Sequence, residues 1–240
     1  INSTYHFVYE ILDYCNKNAA EIQRINREAE AAAIQNVLDN AGKIQKGVRY
    51  KMVPQAKPLD HFRTYDYISY TKPDGSTAYT KTGKIVHYDN VNYYADFKDT
   101  VQATLPRGYI IPAAFAHIAA HLKQQGAVVV QADKKQVYNG EVFLVEKFSK
   151  SPRKFEGHLM ASAEGRYQQK EFTVQKGDFI IDLAQPLANL IFYTLEPQSD
   201  DGLLTWNFFD EYLESKGMAA APVEFPVFKY FSTKTTGKKK

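Results

Sequence analysis

The sequence predicts an α+β protein: an N-terminal helical segment followed by a mainly antiparallel β domain with about three helices. Three observations carry this. Ile1 to Leu38 contains no Pro or Gly, and its apolar residues recur at three- and four-residue spacing. From Val48 to Tyr109 the texture changes to period two, interrupted by turn residues. In the second half, three further helical stretches are bracketed by Pro and Gly. The 240 residues are 44% hydrophobic and 24% charged, as in folded chains, and the 17 Tyr and 15 Phe suit strands.

The N-terminal stripe runs through Tyr5, Val8, Leu12, Cys15 or Ala19, and Ile22, then Ile25, Ala29, Ala32 and Ala33. Asn16-Lys17-Asn18 marks either a break between two helices or a polar face. So apolar a stripe needs a partner, either in this chain's core or in a domain this segment closes. Tyr65 to Thr71 alternates, Lys72-Pro73-Asp74-Gly75-Ser76 supplies a hairpin turn, and Thr77 to Lys81 returns. Thr82-Gly83-Lys84 reads as a second turn, and the whole stretch as an antiparallel meander.

Beyond it, Pro112 opens a helix over 113–125 that Gly126 closes. Ala127 to Gln131 reads as a short buried strand, and 142–148, 154–160, 170–174 and 179–182 as further strands. Pro186 starts a helix over 187–195, ended before Pro197, and 205–216 is another, stopped by Gly217. Phe225-Pro226-Val227 reads as a closing edge strand, where Pro is tolerated. The expected organisation is a helical segment 1–45, a β-rich domain 46–232 and a basic tail 233–240.

The net charge of +3 comes from that tail. Without its four lysines, at 234 and 238–240, the remainder carries −1, which gives no footprint for nucleic acid. No apolar run approaches the ~20 residues needed to span a bilayer. A single cysteine, Cys15, excludes an internal disulfide and a Cys-based zinc site; on the apolar stripe it is expected to be buried and inert.

Candidate chemistry is sparse. His117 and His121 stand four apart on one helical face, the spacing zinc helices use, but Ile118 replaces the glutamate that would act as base. The alternative is a pair of surface or interfacial histidines. Asp200 and Asp201 could share a proton or hold a hard cation, or simply cap and turn the chain at Gly202. Asn2-Ser3-Thr4 fits a glycosylation acceptor. Tyr65, Tyr67, Tyr79, Tyr88, Tyr93 and Tyr94 are spaced as strand residues and form either packing elements or a stacking platform for peptide or glycan.

Three stretches are more distinctive: Gln185-Pro186-Leu187-Ala188-Asn189-Leu190, Leu195-Glu196-Pro197-Gln198-Ser199-Asp200-Asp201-Gly202, and Thr205-Trp206-Asn207-Phe208-Phe209-Asp210. With Arg107 to Pro112, Val145 to Phe148 and Phe155 to His158, they resemble the C-terminal region of bacterial zinc metallocarboxypeptidase (carboxypeptidase A-like) proteins. Tyr5 to Ala33 is similar to the helix that closes the peptidase domain in that family. Hydrolysis there needs a His-x-x-Glu zinc pair, a third histidine, a carboxylate-gripping arginine and a general-base glutamate. None of His6, His61, His87, His117, His121 and His158 is followed three residues later by glutamate.

The resemblance therefore implies that the catalytic groups and the zinc lie upstream of Ile1, in a protein of which this chain is a processed product or a fragment. No catalytic, cofactor-binding or metal residue is assigned within this chain. The expected role is a non-catalytic accessory domain. Its partner is the upstream peptidase domain, or a second copy through the N-terminal helix, and its setting is periplasmic or secreted.

Overall fold

The computed structural model describes residues 2–217 and 222–233. Residues 234–240, nearly all of the expected basic tail, lie outside the described residues. The chain divides into two compact units, one of residues 1–49 and 101–240, the other of residues 50–100.

The helical segment forms as two helices, α1 (Asn2–Lys17) and α2 (Ala19–Asn40), broken at Asn18. Its apolar stripe is not buried. No residue of α1 is buried, Cys15 is exposed, and in α2 only Val37 enters the core. The spacing identified a helix correctly, but among the described residues its face is left exposed.

β1 (Gln45–Pro54) leads out of the helices and pairs with β4 (Tyr94–Thr104), not with its sequence neighbour. The expected meander is thus a hairpin, β2 (Phe62–Thr71) with β3 (Thr77–Tyr88), inserted between two strands that pair with each other. Thr82-Gly83-Lys84 is a bulge rather than a turn: Gly83 takes φ 85°, the Thr82 hydroxyl donates to the Asp66 carbonyl at 3.2 Å, and β3 continues to Tyr88. No residue from 50 to 100 is buried.

The other unit is built on one antiparallel six-stranded sheet. Its strands are β5 (Gly108–Ile111), β6 (Val130–Gln131), β7 (Gln136–Lys150), β8 (Ala161–Val174), β9 (Phe179–Asp182) and β10 (Val223–Thr233). Their order is β6-β9-β5-β10-β7-β8. Alternation sends Tyr109, Ile111, Phe143, Val145, Ile181, Phe225 and Val227 to one face, and Ile110, Val142, Leu144, Phe228 and Tyr230 to the other. The first face is covered by α3 (Ala116–Gln124), α4 (Ala188–Leu195) and α5 (Asp210–Lys216), through Ile118, Leu122, Ile191, Phe192, Leu195 and Leu213.

Four local expectations are corrected here. β10 is an interior strand, because a register shift between Glu224 and Phe228 absorbs Pro226, which has no N–H to give the ladder. Residues 154–160 are not a strand: Glu156 and Gly157 take φ 50° and 87° and close a tight turn bridged by Phe155 and His158. The strand near Ala127 is only two residues long and lies at the sheet edge, with Val128 and Val130 exposed. The last helix starts at Asp210, not Thr205, because Asn207 takes φ 71°.

A row of polar residues crosses the middle of the helix-covered face. Tyr109, Lys229, Glu141 and Gln169 are direct cross-strand partners on β5, β10, β7 and β8. Lys229 and Glu141 are buried, and the ammonium lies 3.0 Å from Glu141 Oε1 and 3.8 Å from the centroid of the Tyr167 ring. It also donates to the Thr104 carbonyl at 3.1 Å. Gly140 makes the approach of β10 possible, since a Cβ there would sit 1.8 Å from the Lys229 carbonyl oxygen. Taking the ammonium away leaves buried carboxylates without a counter-charge. Lys229→Met is expected to lower unfolding free energy by about 3–5 kcal/mol, read from urea denaturation curves.

Candidate functional site

The three distinctive stretches converge around α4 and the loop that follows it. Gln185 is buried and works as a two-way clamp: its Oε1 accepts the Val128 N–H at 2.7 Å, and its Nε2 donates to the Asp182 carbonyl at 2.6 Å. Pro186 leads into α4, and Glu196 follows its last turn.

Glu196 is 1% exposed, an unusual position for a carboxylate. It is held by two hydroxyls and one cation. Tyr109 donates to Oε1 at 2.6 Å, Tyr167 donates to Oε2, and the Lys229 ammonium lies 3.3 Å away. Burial, and then the neighbouring Glu196 charge, push both phenols well above the ordinary tyrosine range. The carboxylate thus fastens the end of α4 to β5, β8 and β10. It is enclosed and fully engaged, which is the condition of a structural group.

The next residues fold tightly onto this anchor. The Asp200 N–H donates to the Val48 carbonyl at 3.0 Å, and its carboxylate lies 3.8 Å from the Arg49 guanidinium. The Thr205 hydroxyl donates to the Ser199 carbonyl at 2.7 Å. A Cβ on Gly202 would lie 3.0 Å from the Glu196 carbonyl oxygen and 3.1 Å from that of Tyr193, so a larger residue there would press these backbone atoms apart by a few tenths of an ångström. The two aspartates have separate partners: Asp201 Oδ1 accepts the Trp206 indole N–H at 2.5 Å, and neither aspartate caps a helix.

Asn207 holds the loop's second half. Its Nδ2 donates to the Leu159 carbonyl at 2.9 Å, and its Oδ1 lies 2.9 Å from His158 Nδ1. Asn is among the few non-glycine residues that accept positive φ, which suits it to this turn. Phe209 and Leu213 point into the core, while Trp206 stays half-buried and Phe208 exposed.

This loop and α3 enclose a cleft of about 520 Å³, lined chiefly by Trp206, Phe208, Leu190, Asp201, His121 and His158. His158 packs edge-on to Trp206 at 5.3 Å, and His121 lies 5.1 Å from Phe208. A second basin of about 300 Å³ shares Phe208 and takes His117, Glu211 and Tyr212. His117 and His121 therefore belong to two adjoining basins, each against a phenylalanine: His117 with Phe115, His121 with Phe208. Among the described residues, no group of three His, Cys, Asp or Glu side chains is placed to hold a metal ion.

Of the other candidates, Asn2 lies in the first turn of α1, and Tyr65, Tyr67, Tyr79, Tyr88, Tyr93 and Tyr94 are between 41% and 69% exposed. The sequence had singled out Asp201, and had pointed to Trp206 only within a distinctive stretch, as part of an apolar helix face. It missed Glu196, Lys229 and His158, whose partners are far away along the chain.

Two outcomes follow. Because Tyr109 and Tyr167 hold their protons more tightly folded than unfolded, their contribution is complete below the unfolded pKa of ~10 and is lost as pH rises beyond it. Melting temperature is expected to fall above about pH 10, less steeply in Tyr167→Phe. Gly202→Ala is expected to cost about 1–3 kcal/mol in denaturation experiments, because the crowding atoms are backbone.

Comparison with family models, curated proteins and solved structures gives no match for this chain.

Proposed function

We propose that the chain is the non-catalytic C-terminal accessory part of a zinc carboxypeptidase-like protein, periplasmic or secreted, packing on the peptidase domain and shaping or restricting its cleft. The observation that carries this reading is α1. Tyr5, Phe7, Val8, Tyr9, Ile11, Leu12 and Tyr14 are all exposed on a helix that buries no residue. Exposed apolar surface of that density marks a protein interface. The three distinctive stretches supply the resemblance. Glu196 and its loop spend their polar groups on holding the fold, as an accessory body requires.

The experiment is co-expression with the segment encoded immediately upstream. A stable complex is expected at micromolar concentrations, weakened at least tenfold by Leu12→Glu, where a charge would enter an apolar contact. A folded chain that stays separate sinks the reading, as does an upstream segment without a His-x-x-Glu pair. Self-association through α1 that Leu12→Glu abolishes would reassign the helix to a homo-oligomer.

The exposed tyrosines favour a second reading, an independent peptide- or glycan-binding module. A two-stranded hairpin with wet faces is marginal by itself, and ring faces are suited to stacking. Ligand-dependent tyrosine fluorescence without any protein partner would move the assignment there.

A further inference from the structure

We propose that the cleft between α3 and the loop at 199–208 binds an alkylammonium group on an apolar stem, the chemistry of a lysine side chain. The proposal is independent of the accessory role.

Among the described residues neither basin is lined by a lysine or an arginine, while Asp201 contributes a carboxylate to one and Glu211 to the other. An anion would find no counter-charge. At about 520 Å³, the larger basin falls within the range of small-molecule sites.

The walls select the rest of the ligand. Leu190, Leu203 and Phe208 offer apolar surface for a methylene stem, and Gln125 and Thr194 add neutral polar groups beside it. Trp206 has the best ring for a cation, and its orientation is set by the bond from its N–H to Asp201. That same bond occupies Asp201 Oδ1 and leaves Oδ2 as the remaining acceptor. A single oxygen suits a point-like ammonium better than the two-pronged guanidinium of arginine. The second basin, which shares Phe208 and carries Glu211, offers a further acidic position to a peptide with additional basic residues.

Trp206 is the chain's one tryptophan, so its fluorescence reports directly on the cleft. The full 240-residue chain is titrated at about pH 8, separately with Nα-acetyl-lysine amide, its neutral isostere Nα-acetyl-norleucine amide, and cellobiose. Saturation by the lysine amide is expected with a midpoint on the order of 1–10 mM. The norleucine amide is expected to bind about fivefold more weakly, and Asp201→Asn to weaken the lysine amide by about the same factor. Phe208→Ala leaves the bond between Trp206 and Asp201 in place, truncates an exposed ring, and is expected to weaken binding about threefold. Equal midpoints for the lysine and norleucine amides would overturn the proposal, as would no saturation by the lysine amide. Saturation by cellobiose alone would also overturn it and assign the cleft to a glycan.

Discussion

The buried ammonium of Lys229 is the constraint around which the larger unit is arranged. It sits on an interior strand, faces the helices, and is met by carboxylates from a neighbouring strand and from the end of α4. An ion taken this far from water costs several kcal/mol unless partners surround it. Its partners must therefore arrive together. The same row also fixes register, since a slip of one residue would send Lys229 to the opposite face and leave Glu141 and Glu196 unanswered. Apolar packing alone would not discriminate so sharply, because both faces of this sheet bury hydrophobic residues.

From that anchor the loop after α4 inherits its shape. Glu196 is pinned first, Gly202 lets the chain double back over it, and Asn207 turns it again toward α5. Such a path leaves Phe209 inside and brings Trp206 and Phe208 to a shared surface. The half-exposed indole is thus a product of the folding constraints, and its held orientation is what makes the surface usable for recognition.

Periodicity revealed most elements, because helices and strands repeat over distances visible in a short window. The N-terminal helical stretch (though not its break at Asn18), the hairpin at Asp74-Gly75 and the helix between Pro186 and Pro197 were legible this way. What periodicity could not supply was the partner. The stripe of α1 reads as a core face, yet it stays exposed among the described residues. Pro226 argues for an edge, yet a bulge lets β10 run through the middle. The pairing of β1 with β4 joins strands separated by a whole hairpin. At the candidate site, Asp201 and Trp206 lie five residues apart and were within reach of local reasoning. Glu196, Lys229, Tyr109 and Tyr167 are related only through the folded sheet, and a sequence window contains no sign of their meeting.

The stretch from 50 to 100, in which no residue is fully buried, has a thermodynamic corollary. Unfolding it uncovers little new apolar surface, and surface uncovered is what sets both the heat-capacity increment and the denaturant sensitivity of a transition. Calorimetry on the isolated chain would register a protein smaller than its length, with roughly a fifth of the polypeptide contributing almost nothing to the cooperative melt. Amide exchange would divide along the same line, fast in the hairpin and slow in the sheet that holds Lys229.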